Sequence, residues 1–71
     1  SEKENIKYEY EAVPITKRNQ IKARAAKLGV DTSGLNEGRV AEAYTAFMAA
    51  QNNGLSVVQA QAVVDAILRR K

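Results

Sequence analysis

Lys17, Arg18, Lys22, Arg24 and Lys27 place five cations within one short run, and residues 15–30 hold no acid at all. That run can bind phosphate. Each Lys or Arg that neutralises a backbone phosphate releases counterions, so affinity is strong at low salt and falls as salt rises. A charge run on a helix is also what an ordinary solvated face looks like. One detail favours a ligand. Lys17 and Arg18 open the helix that this segment predicts, where the macrodipole is already positive and an unpaired cation costs a few tenths to about 1 kcal/mol. A local rule broken without visible gain points to function. The structural alternative is that Glu9 and Glu11 fold back and neutralise them.

Other chemistries are short of parts. The chain has no cysteine and no histidine. It therefore cannot make a disulfide, a thiolate zinc site or a Ser-His-Asp arrangement. The carboxylates are scattered, with no pair spaced for shared acid–base work or calcium ligation. The four glycines form no phosphate loop. Tyr44, Phe47 and Met48 fall at helical spacing and read as core rather than as a ligand-facing stripe. The expectation is a protein without catalytic residues, metal, cofactor or small-molecule substrate.

The elements that position the basic run follow from pattern and punctuation. At 71 residues the chain is one domain at most. Residues 1–5 read as a tail. Residues 6–12 alternate, with Ile6, Tyr8 and Tyr10 on one side and Lys7, Glu9 and Glu11 on the other, which predicts an extended strand. Val13 precedes Pro14 and is pushed toward extended geometry. Residues 1–13 are thus expected as an arm and residues 14–71 as an all-α domain of three helices, at about 17–28, 37–52 and 57–70. Thr16 caps the first, whose apolar face is Ile21, Ala25 and Leu28, and Gly29 ends it. Asn36 or Ser33 caps the second, whose face is Val40, Ala43, Tyr44, Phe47 and Ala50 or Gln51, flanked by Met48. Asn53-Gly54 stops it as a helix C-terminus rather than a hairpin. Ser56 caps the third, with Val57, Ala60, Val63, Val64, Ile67 and Leu68 apolar. Val58 and Ala62 widen that face beyond a single stripe.

Net charge is +3, but it is uneven: −2 over residues 1–14, +5 over 15–30, −2 over 31–56 and +2 over 57–71. Three nucleic-acid layouts can be set against this. A helix-turn-helix over 46–63 would use Ala50, Gly54, Leu55 and Val63, with Gln59 and Gln61 reading adenine edges. Asn53 is polar where an apolar residue is usual, and the recognition helix carries no base before Arg69. A strand followed by two helices is the ribbon-helix-helix layout, but Glu9 and Glu11 would face phosphate and be repelled. Ile21-Lys22 followed by Leu28-Gly29-Val30-Asp31-Thr32-Ser33-Gly34 resembles the start of a SAP-type helix–extension–helix module. That resemblance implies DNA contact through Lys22, Arg24 and Lys27. Asn36 and Arg39 stand where that family has a basic residue and then a leucine.

The sequence thus leads to a small cytoplasmic nucleic-acid-associated or regulatory protein that binds DNA through its first helix. The alternative is a non-enzymatic interaction or dimerisation module, docking a protein or a second copy through the helix over 57–70 or the strand. Residues 1–11 are polar and acidic, unlike a signal peptide, and no apolar run approaches the ~18 residues that span a bilayer, so no membrane is expected. Two further expectations concern exposure. Tyr8 and Tyr10 should both be at least half buried, and Arg24 and Lys27 should face solvent.

Overall fold

The computed structural model describes residues 1–30 and 37–70. Through them run α1 (Glu2–Ala12), α2 (Ile15–Lys27), α3 (Glu37–Asn52) and α4 (Val57–Arg69). The last three are the expected helices, with α3 at its predicted bounds. The first is a correction: residues 6–12 are helical, and no strand occurs among the described residues.

The physical reason lies in a second period that the same residues carry. Ile6, Tyr10 and Val13 recur at i, i+4 and i+7, one face of a helix. Ile6 and Tyr10 are partly covered and Val13 is buried. Tyr8 points away and is 76% exposed, so the two tyrosines do not share a face. Nor are residues 1–5 a tail. Ser1 is the N-cap of α1: its hydroxyl accepts from the Glu4 backbone N–H, and the Glu4 side chain accepts from the Ser1 backbone in return. That reciprocal pair is a capping box, and Glu2 and Glu4 complement the dipole of the first turn. Val13 is extended before Pro14, as expected, and closes α1.

The remaining boundaries are set by turn chemistry. Pro14, not Thr16, is the N-cap of α2, and it makes no side-chain cap bond. Gly29 adopts φ +76°. The Val30 N–H donates to the Ala25 carbonyl and that of Gly29 to Ala26. This left-handed exit is what the glycine permits. Gly54 repeats it at φ +86°, with Leu55 donating to Ala50. The capping residues proposed for α3 and the extension at 31–34 lie outside the described residues.

Ser56 caps α4 as expected. Its hydroxyl accepts from the Gln59 N–H at 3.1 Å, and the Gln59 side chain accepts from the Ser56 N–H at 2.9 Å. Ser56→Ala should cost about 1 kcal/mol. That corresponds to a melting temperature lower by roughly 4–8 °C, readable by circular dichroism. An unchanged melting temperature would show that the helix end is held by packing alone.

α3 is the central element and packs on all three others, most extensively on α4. Ile21 and Ala25 of α2, Val40 and Ala43 of α3, and Val64 and Leu68 of α4 form the buried core. Tyr10, Leu28, Val30, Tyr44, Phe47 and Ile67 pack around it. Alanine at the crossing positions lets these helices approach closely, which is how a chain with four aromatics still fills a core. α4 is amphipathic rather than wholly buried: Val57 and Val58 are 61% and 80% exposed. No helix among the described residues is long and apolar enough to cross a membrane.

Candidate nucleic-acid interface

The basic run falls on α2, but its five cations do not stand alike. Ile21, Ala25 and the partly covered Leu28 turn inward. By helical period the opposite face is Asn19, Ala23 and Ala26, all exposed. Lys22 borders that face on one edge. Gln20 and Lys27 border it on the other, with Lys17 and Arg24 further round toward α4. All three lysines are exposed.

Three of the five cations make contacts within the protein. The Arg18 Nε donates to the Val13 carbonyl at 2.9 Å, and its guanidinium stands 4.8 Å from the centre of the Tyr10 ring. The Lys22 ammonium approaches the same ring at 5.2 Å. The Lys22 ammonium, with Arg18 as a second donor, lowers the Tyr10 hydroxyl from its ordinary value, against the opposing effect of burial. Contacts of a cation with an aromatic face are worth about 0.5–1 kcal/mol at exposed sites. This answers the puzzle of a cation in the first turn. Arg18 clamps the corner between α1 and α2 through Val13 and Tyr10, rather than being neutralised by Glu9 or Glu11.

Arg24 is the larger departure. It was expected to face solvent; instead its Nε and Nη2 donate to the two carboxylate oxygens of Asp65 at 2.9 and 2.7 Å. The Gln61 amide donates to the same carboxylate at 3.0 Å. The Asp65 side chain is only 13% exposed and that of Arg24 34%. Bidentate contact from Arg24, reinforced by Gln61, holds the Asp65 carboxyl down at about 2, although its burial pushes the other way. The pair joins α2 to α4, and Arg24 is a structural tie before it is a phosphate ligand.

At the other end of α4, the Arg70 guanidinium donates to both Glu42 oxygens at 2.9 and 2.6 Å. The Arg70 contact lowers the Glu42 carboxyl below its usual range. Through this pair Arg70 holds the C-terminal end of α4 to α3.

What α2 still offers a ligand is Lys27 and the exposed Lys22, which also touches Tyr10, beside an outward face of Asn19, Ala23 and Ala26, with Lys17 further round. From Lys17 to Lys27 the helix rises about 15 Å. The helix-turn-helix layout over 46–63 gains little here: Val57 and Val58 dominate the exposed start of α4, and Gln59 is spent on the cap. The ribbon-helix-helix layout falls with the strand. No protein family matches this chain, and no curated protein or solved structure is significantly similar to it.

Proposed function

We propose that this is a small, non-enzymatic DNA-binding protein of the cytoplasm, with regulatory or accessory action, and that α2 is the helix that enters the major groove. One observation carries the reading. α2 presents a narrow, uncharged outward face with exposed lysines on both edges and no acid along its length. The B-DNA major groove is about 12 Å wide and admits one helix. A helix seated there meets phosphates on both walls. Lys22 reaches one wall, and Lys17 and Lys27 the other. Asn19 and Gln20 carry the amide groups that pair with adenine edges, and Ala23 is small enough to lie against a thymine methyl.

The test is fluorescence anisotropy on a labelled duplex across a salt series. Three phosphate contacts give a slope of about −3 in log affinity against log salt. Changing Lys17, Lys22 and Lys27 together to Glu should abolish binding while the helical spectrum is kept and the melting temperature falls only by the loss of the exposed Lys22–Tyr10 contact, about 0.5–1 kcal/mol. Arg24 is left alone because its loss would disturb the fold. A parent that fails to bind at low salt ends the proposal, and so does a triple variant that binds like the parent.

The interaction-module reading keeps one specific support, the aliphatic start of α4. Val57, Val58, Ala62 and Ala66 are exposed, and the Asp65 charge among them is spent on Arg24. That face suits an uncharged, aliphatic helix of another protein. The strand edge offered for the same purpose is now α1. Val58→Lys separates the readings: it leaves DNA affinity intact and removes a protein contact made here.

A further inference from the structure

α1 and α3 leave a groove of about 640 Å³ between them. Its floor is apolar and shallow, built from Ala12, Val13, Ala41 and Ala46 with Ile67 at one end. Tyr8, largely exposed, stands as a wall, and Glu9 and Glu42 sit on its edges. Glu42 is committed to Arg70. Glu9 has no ion-pair partner among the described residues. Glu2 lies two turns up the same edge of α1, by helical period. Lys3 and Lys7 fall on the opposite flank, so α1 offers the groove an acidic edge.

The chain carries the complement of this groove on its own surface. A helix with a small outward face suits this groove, because alanines at 12, 41 and 46 leave its floor without deep pockets for large side chains. Such a helix must carry cations beside that face and no acids. α2 has both properties: Asn19, Ala23 and Ala26 form the face, Lys22 and Lys27 the edges, and no acid lies between residues 15 and 30. We infer that the α1–α3 groove is a docking site for α2 of a second copy of this chain. The two surfaces differ, so the contact is head-to-tail. It builds rings or open chains, or a reciprocal pair in which each copy's α2 enters the other's groove. Small residues on both sides allow close helix approach, and opposite charge fixes the register. The inference goes beyond the DNA reading and stands without it. Both associations use the outer face of α2, so a copy held in a groove is closed to DNA.

The test uses the full chain without nucleic acid. Sedimentation at rising concentration and low salt should show a parent that associates, and added salt should return it to monomer. Thr45→Arg obstructs the groove at an exposed position, and Ala23→Glu spoils the α2 face. Each variant alone should stay monomeric. Mixed in equal amounts they should form a dimer, because one contributes an intact α2 and the other an intact groove. Glu9→Lys and Lys22→Glu should each weaken association about tenfold or more, and the double swap should recover most of it. Circular dichroism checks folding, with Ala49→Arg replacing Thr45→Arg if the latter unfolds. A parent that stays monomeric overturns the inference, as does a single variant that associates like the parent or a pair that fails to combine. DNA binding measured on the Thr45→Arg monomer is a separate result, so one proposal can fail without the other.

Discussion

Replacing Val64 by aspartate is expected to leave the protein unfolded at room temperature. Val64 is 2% exposed, midway along α4, and shares the core with Ile21, Ala25, Val40, Ala43 and Leu68. Those five core neighbours are aliphatic and offer a carboxylate no donor. Arg24 and Gln61, which line the same cavity as Val64, already donate to Asp65. Stranding a buried charge costs several kcal/mol whether the group stays ionised or takes up a proton. A domain of this length has about 4–10 kcal/mol in total. The α3–α4 contact is the most extensive between helices here, so no other contact of that extent remains to hold the core. Urea unfolding followed by circular dichroism is the measurement. Val58→Asp is the control: at 80% exposed, it should shift stability by no more than about 0.5 kcal/mol. A cooperative transition for Val64→Asp close to the parent's would mean that α4 is peripheral.

The contrast between these two valines shows what the sequence could and could not tell. Both look equally apolar, and the breadth of the α4 face was visible in Val58 and Ala62. Which side of that breadth turned inward depended on the rotation of α4 against α3, and no local pattern encodes that. The helix ends were more legible because their chemistry is local. Gly29, Gly54 and Ser56 each do what their residue type does at a helix terminus. α1 failed on a different ground. Ile6, Tyr8 and Tyr10 fit period two, while Ile6, Tyr10 and Val13 fit a helix, so two periods compete over one segment. The deciding signals were present, in the Ser1–Glu4 capping box and in the want of any partner for a single strand. On α2 the cations were visible but their employment was not. Arg18 depends on Tyr10 being helical, and Arg24 on a carboxylate 41 residues away. Ion pairs of that separation are a product of packing. Such packing contacts also explain why a run of five cations leaves only Lys17 and Lys27 unengaged among the described residues.

Arg24 and Asp65 supply the pH dependence of this fold. α2 touches α4 along a narrow seam, and the bidentate pair with its Gln61 donor is the polar tie across it. In the folded protein the Asp65 carboxyl sits at about 2, below its ordinary 3.8, chiefly because Arg24 bonds to its charged form. A carboxyl whose folded pKa is depressed contributes stability that is complete above its unfolded value. That stability drains as pH falls through the folded one. The window is therefore from about pH 4 down to about pH 2. After discounting for solvent at the Arg24 end, the loss is about 1–2 kcal/mol. Asp65→Asn keeps the shape and an acceptor oxygen but cannot titrate. It should be less stable than the parent at neutral pH by a similar amount, and the gap should close as the parent's carboxyl protonates. Glu42 also titrates low beside Arg70, but it does so in both proteins, so the difference between their urea curves isolates Asp65. A gap that persists unchanged at pH 2 would mean that the asparagine disturbs packing and that the charge pair contributes nothing. Because a loss of about 1–2 kcal/mol leaves the folded state dominant at neutral pH, DNA affinity of Asp65→Asn there should stay near the parent's, with the salt slope set by Lys17, Lys22 and Lys27 unchanged.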